Sequence, residues 1–187
     1  MQLFIKNMVC PRCIQAVHQA AEMSDFDIKY IKLGELETKQ VVISPEQLDK
    51  FDSILIDLGF ERYDNKNTQL AEKVKLIVIE QIHHKDEELN INWSKLIEDN
   101  LHYEYNYISN LFSDFEGITI EKFIIKQKIE RVKELLSYDE FTLSEIAYRL
   151  GYSSASYLAN QFKKITGMTP GAFRKLLDKN RSHLDHL

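Results

Sequence analysis

Residues 142–174 read TLSEIAYRLGYSSASYLANQFKKITGMTPGAFR, and this stretch decides the fold. Thr142 is an N-cap with Glu145 three residues on, the pattern of a capping box. Leu143, Ile146, Ala147 and Leu150 fall at i, i+3, i+4 and i+7, the apolar stripe of a helix. Gly151 follows, where a helix end takes a left-handed residue. Ser153 or Ser154 caps a second helix, on which Leu158, Phe162 and Ile165 face a core. Ser156, Tyr157, Asn160, Gln161, Lys163 and Lys164 are left outside. Gly167 stops this helix, and Pro170 opens a third near its first turn.

A helix, a tight glycine turn and a second helix with a polar face form the helix-turn-helix pattern, whose second helix lies in the DNA major groove. The outward residues suit that task. Asn160 and Gln161 carry amides that pair with adenine edges, Ser154 and Ser156 are permissive, Tyr157 shares the exposed face, and Lys163 and Lys164 reach phosphate or guanine. An ordinary helical hairpin with a solvated face has the same periodicity. The residues themselves go further. Ile146-Ala147, Gly151-Tyr152-Ser153, Tyr157-Leu158, Phe162-Lys163-Lys164 and Gly167-Met168-Thr169-Pro170 resemble the C-terminal signature of AraC/XylS-type bacterial transcription regulators. That resemblance implies an all-helical domain that binds double-stranded DNA. Asn160 stands where the family often carries Arg, so the DNA face lacks one cation.

The same pattern occurs earlier. Leu96-Ile97 answers to Ile146-Ala147, Tyr107-Ile108 to Tyr157-Leu158, Phe112 to Phe162, and Glu116-Gly117-Ile118-Thr119 to Thr166-Gly167-Met168-Thr169. Such self-similarity marks two copies of one unit, and AraC-type domains contain two helix-turn-helix units. Between them Ile120–Tyr138 is one long helix, with Phe123, Ile124, Ile129, Val132 and Leu136 among its apolar positions. The first copy offers Asn106, Ser109, Asn110, Ser113 and Asp114 on its recognition face, with no Lys or Arg. Asn106 and Asn110 are its candidate base readers. Cations normally supply the phosphate contacts, so this copy is expected to make the weaker DNA contact.

Towards the N-terminus, Gln2–Lys6 reads as a strand, and Ile14, Val17 and Ala21 place a helix after it. Residues 27–33 (DIKYIKL) and 40–44 (QVVIS) read as strands, with GELET between them as a turn. Ser44-Pro45-Glu46 caps a second helix, with Leu48, Phe51, Ile54, Leu55 and Leu58 on its apolar face, and Phe60–Tyr63 is a last short strand. The order βαββαβ is the ferredoxin-like arrangement. With Met8-Val9-Cys10-Pro11-Arg12-Cys13 between the first strand and first helix, residues 1–64 resemble a heavy-metal-associated domain of the copper-chaperone type. The resemblance implies that Met8 packs beneath the loop while Cys10 and Cys13 bind a soft metal. The family's usual Gly before Met is Asn7 here.

Both thiols lie at a helix start, where the dipole and Arg12 favour thiolate. Two sulfurs suit nearly linear Cu(I), whereas tetrahedral Zn(II) needs two more ligands. A CxxC pair also cycles between dithiol and disulfide, or simply packs; the three readings stay open. Residues Asp64–Gln69 form a polar linker, and from Leu70 a helix carries Val74, Ile77, Val78 and Ile82 on its core face. His83 and His84 at its end lack metal-ligand spacing.

The totals set limits. Net charge is −5, divided as −4 over residues 1–72, −5 over 73–116 and +4 over 117–187, so the positive part carries the signature. No run approaches the ~18 apolar residues of a membrane helix. The start MQLFIKNMVC has no long apolar core, so a cytoplasmic location is expected. No nucleophile–base set, paired carboxylates or phosphate-cradling glycine loop appears, so no enzyme is expected. The expectation is an α+β chain: a ferredoxin-like domain over 1–64 and an all-α DNA-binding domain over 70–187. The function expected is sequence-specific DNA-binding transcription regulation, responsive to a soft metal through Cys10 and Cys13. A metal chaperone or buffering protein, or a thiol redox switch, is the alternative. Two DNA-binding units on one chain make dimerisation unnecessary.

Overall fold

The computed structural model describes residues 1–63, 66–85, 89–138 and 140–179. It is a mostly helical chain with one small N-terminal antiparallel sheet. The described residues gather into two compact units, one within Met1–Ile77 and Asn106–Gly117, the other within Val78–Tyr105 and from Ile118 onward.

In the first unit, β1 (Gln2–Lys6), α1 (Pro11–Met23), β2 (Ile28–Lys32), β3 (Glu35–Thr38), α2 (Pro45–Asp57) and β4 (Glu61–Tyr63) follow in order. The strands lie side by side as β2-β3-β1-β4, each pair antiparallel. Alternation along the strands sorts side chains to two faces. Leu3, Ile5 and Leu36 join Val17, Ala20 and Ala21 of α1 and Phe51 and Leu55 of α2 in one core. The opposite row, Lys32, Glu35, Phe4 and Tyr63, follows from the strand register. Glu35 is buried there, and it accepts from Tyr30 Oη and Gln2 Nε2 and pairs with Lys32 Nζ at 2.7 Å.

The expected GELET turn is instead strand β3, and residues 40–44 are no strand. Lys32 pairs with Glu35, so the turn is Leu33-Gly34, with Gly34 at φ +79°. The β-branched run drew the expectation to the wrong place, since Val41 and Val42 are 86% and 80% exposed. Beyond the sheet, α3 (Lys66–Ile79) starts four residues before the expected Leu70. Of the expected linker Asp64–Gln69, Asp64 and Asn65 lie outside the described residues, and the rest is the first turn of α3. Lys75 of α3 pairs with Glu72 at 2.6 Å and with Glu116 of α5 (Tyr105–Glu116) at 3.0 Å. Burial opposes its charge, but the two carboxylates outweigh that and hold its ammonium above the usual range.

The second unit begins at Val78 in the last turn of α3 and contains the π turn Glu80–His84, α4 (Trp93–Leu101), α6 (Ile120–Tyr138), α7 (Leu143–Arg149), α8 (Ala155–Thr166) and α9 (Pro170–Lys179). Ile97, Ile120, Ile129, Val132, Ile146, Leu158 and Phe162 are fully buried in its helices. Phe162 meets Phe173 of α9 edge to face at 5.6 Å. Thr142 caps α7 in a full capping box with Glu145. The turn after α7 is tight. Gly151 has φ +64°, and a Cβ there would stand 2.2 Å from the Leu89 carbonyl oxygen. Leu89 N–H donates to the Arg149 carbonyl at 3.0 Å, tying this strap to the turn.

Candidate nucleic-acid interface and thiol site

The sequence repeat returns in the helix starts. The starts of α4, α5 and α6 at residues 93, 105 and 120 return in α7, α8 and α9 at residues 143, 155 and 170. Asn92 caps α4 by accepting from Lys95 N, as Thr142 caps α7 by accepting from Glu145 N. Gly117 and Gly167 both take positive φ after their helices. Ile108 and Phe112 are fully buried, as are Leu158 and Phe162. The outward residues correspond too: Asn106 with Ser156, Tyr107 with Tyr157, Asn110 with Asn160, Ser113 with Lys163 and Asp114 with Lys164. The turns differ: α4 runs to Leu101 and His102 is left-handed, whereas α7 ends at Arg149 and the left-handed residue, Gly151, falls one position earlier in the repeat.

On α8, Ser156, Asn160 and Lys163 sit at i, i+4 and i+7 and are exposed, so they share one outer face. Tyr157 and Lys164 are exposed beside it. Ser154 is the N-cap, and its hydroxyl accepts from Tyr157 N at 3.1 Å. Gln161 is half-buried, and its carboxamide oxygen accepts from Tyr152 Oη at 2.7 Å. Burial pushes the Tyr152 phenol well above its usual range, so it stays a donor. Bidentate recognition of adenine needs both amide groups, and here one is engaged. Ile165, expected in the core, is 42% exposed because α8 buries only the Leu158–Phe162 side. On α5, Asn106 and Asn110 are exposed one turn apart, while Ser113 bonds to the Ser109 carbonyl at 2.8 Å.

The thiol pair sits where β1 runs into α1. Cys10 is the N-cap of α1, and Cys13 is in its first turn. Their Sγ atoms are 3.5 Å apart, too far for a disulfide bond of about 2.05 Å. The Cys13 backbone N–H, then the Cys13 thiol, with smaller help from Arg12, hold the Cys10 thiol below its ordinary range. Met8 is buried and belongs to the core beneath the loop. Asn7 takes φ +69°, a conformation Asn tolerates, and its Nδ2 donates to the Gly59 carbonyl at 3.0 Å. Among the described residues no third His, Cys, Asp or Glu gathers with the thiols. The donor set is therefore two sulfurs, complete for a two-coordinate soft ion and two ligands short for tetrahedral zinc. His83 bonds to Gln127 at 3.1 Å, and burial lowers its pKa.

Comparison with known proteins agrees with the helical geometry. Residues 98–176 match a family described as a helix-turn-helix domain. The regulatory protein PocR of Salmonella typhimurium is 31% identical over 74 residues, 40% of this chain and 24% of that protein. The HTH-type transcriptional regulator YtdP of Bacillus subtilis is 31% identical over 99 residues, 52% of this chain and 12% of that protein. The chain thus spans a quarter or less of these relatives. In fold, the chain resembles the C-terminal domain of AraT, a response regulator of Geobacillus stearothermophilus, with TM-score 0.52 and 22% identity over 66% of this chain and 100% of that one. It also resembles an AraC-type transcriptional regulator structure from Chromobacterium violaceum, with TM-score 0.51 and 15% identity over 63% of this chain and 100% of that one. Residues 98–176 thus match a helix-turn-helix domain, and the helical part of the chain shares the fold of these two structures.

Proposed function

We propose that the protein is a transcription regulator that binds duplex DNA in a sequence-specific way through two unequal helix-turn-helix units and answers to a soft metal at Cys10 and Cys13. The observation that carries DNA binding is the repeat itself: helices starting at residues 93, 105 and 120 and again at 143, 155 and 170, each set with a polar face one turn into its second helix. Ser156, Asn160 and Lys163 form the stronger reading face, and Asn106 and Asn110 the weaker one. Gln161 and Ser154 hold that surface in shape as well as lining it. Lys164 reaches phosphate. Residues 1–64 act as a ferredoxin-like, heavy-metal-associated sensor domain and residues 70–187 as the DNA-binding domain, although Asn106–Gly117 groups with the N-terminal unit. The protein works in the cytoplasm, with DNA as partner and Cu(I) as the ion best suited to a two-sulfur site. No helix of the described residues is long and apolar enough to cross a membrane.

A second reading of the thiols is redox switching. It is favoured by the 3.5 Å approach of the two sulfurs and the lowered Cys10 pKa. The testing experiment is selection of bound sequences from a random duplex library, followed by titration of the selected DNA. Wild type and a Cys10→Ser/Cys13→Ser variant are compared under reducing conditions with Cu(I), with Zn(II) and without metal. A metal effect confined to wild type supports sensing. An effect of oxidant alone moves the site to redox switching, and no selected sequence at all would refute the regulator.

A further inference from the structure

A cleft of about 510 Å³ opens inside the second unit, beside α8. Its size is that of a small-molecule site, roughly 300–1,000 Å³. Trp93, the first residue of α4, Ile124 and Lys128 of α6, Tyr152 of the turn, and Tyr157 and Gln161 of α8 line it. The rings provide flat apolar walls, and Tyr152 and Tyr157 stand 6.1 Å apart.

Lys128 gives the cleft its chemistry. It is half-buried, and no carboxylate of the described residues pairs with it; its Nζ lies 5.2 Å from the centre of the Tyr152 ring. Burial alone pushes its ammonium below the ordinary lysine range. A desolvated cation without a counter-charge is costly, and a bound anion removes that cost. A second charge sets the limit. Glu121, also on the wall, accepts from Tyr105 Oη at 2.6 Å, and that hydrogen bond holds its carboxyl below the usual range, so it stays ionised. A fixed negative charge in the wall works against a polyanionic backbone and leaves room for one negative charge at Lys128.

We propose that this cleft binds a small organic monoanion with a flat aromatic body, its carboxylate on Lys128 and its ring against Trp93 and Tyr152. Because Tyr157 and Gln161 of α8 form one wall, the occupied cleft weakens DNA binding; this second part rests on the DNA-binding function proposed above.

Trp93 is the single tryptophan of the chain, so its indole N–H is one assignable resonance. The full ¹⁵N-labelled chain is titrated with 2-naphthoate and with its neutral isostere 2-naphthamide. Naphthoate is expected to displace the indole resonance saturably, binding at least about tenfold more tightly than the amide. Lys128→Met is expected to keep its thermal midpoint and lose that preference, and Lys128→Arg to keep it. Equal affinity of acid and amide, no displacement at millimolar naphthoate, or unchanged naphthoate binding by Lys128→Met would each overturn the site. If Lys128→Met weakens DNA binding while naphthoate fails to bind, Lys128 is a phosphate contact of duplex DNA and the proposal falls. With selected DNA, naphthoate is expected to weaken binding by wild type and not by Lys128→Met; an unaffected wild type overturns the regulatory part. A chain that binds no DNA refutes the regulator reading, while the indole titration still decides the site.

Discussion

Gly151→Ala is the sharpest perturbation of the second helix-turn-helix unit. Gly151 holds φ +64°, and an alanine there costs about 1–2 kcal/mol in the left-handed region. The added Cβ also stands 2.2 Å from the Leu89 carbonyl oxygen, so the Leu89 strap must move. At stake are its hydrogen bond to Arg149, about 0.5–1.5 kcal/mol, and burial of the Leu89 side chain, about 1.5–3 kcal/mol when lost in full. Partial loss of both brings the expected destabilisation to about 2–5 kcal/mol. Gly167→Ala is the matched control, since its φ is +80° but nothing lies within 4 Å of the added Cβ. It should cost only the conformational share, about 1–2 kcal/mol. Urea unfolding of the full chain, followed by Trp93 fluorescence, reports on the unit that holds both glycines. At constant m the midpoint should fall further for Gly151→Ala. Equal midpoints for the two variants would show that the Leu89 contact does not constrain the turn.

Other outcomes follow from the two sites. Asn160→Ala should cost about 1–3 kcal/mol at one or two base positions of selected DNA, and more than Gln161→Ala, whose oxygen Tyr152 already occupies; equal losses measured across single-base operator variants would contradict that ranking. Lys163→Ala should weaken every sequence alike and reduce the slope of log affinity against log salt by about 1, and a sequence-dependent loss would make Lys163 a base reader instead. Ser113→Lys with Asp114→Lys should strengthen DNA binding and steepen its salt dependence; an unchanged salt titration would remove α5 from the interface. The Cys10 thiolate is stabilised in the fold, so its contribution to stability is present above the unfolded thiol pKa and is lost as pH falls through the folded value. Alkylation by iodoacetamide, read by peptide mass, should therefore reach its half-maximal rate below the ordinary thiol pKa of about 8.5, and a midpoint at or above that value would refute the lowered pKa.

The helical part was legible because its signals are local. Thr142 with Glu145, the i, i+3, i+4 stripe from Leu143 and the glycine at 151 each act within a few residues, and each appears where the spacing placed it. The repeat was legible for the same reason. The sheet was harder. Glu35 looks like a turn residue, but the Tyr30, Gln2 and Lys32 partners that make its burial tolerable come from the two neighbouring strands, β2 and β1. Val41, Val42 and Ile43 have strand propensity, yet no partner strand lies opposite them, and propensity yields to pairing. At the candidate sites, helical spacing could place Gln161 on α8 but not its bond to Tyr152, which depends on how the preceding turn folds. Lys128 carried no signal at all, because the cleft it lines is assembled from residues of α4, α6, α8 and the turn at Tyr152, far apart in sequence.

The two copies show how far fold and function separate along this chain. Their helices start at matched positions, α4 and α7 each begin at a side-chain N-cap, and the same core positions are filled. Backbone geometry therefore presents residues 113 and 114 as it presents residues 163 and 164. The chemistry there is opposite: Ser113 and Asp114 in one copy, Lys163 and Lys164 in the other. Affinity for a phosphate backbone is set by cations neutralising it. Under the proposed function, the second copy would hold DNA by charge and read it with Asn160, while the first carries a carboxylate at the matching position and otherwise only neutral amides. Charge follows the same division, at +4 over residues 117–187 against −5 over 73–116. Repetition of helix order thus gives two similar polar faces, and under the proposed function four side chains make one the anchor and the other the weaker contact.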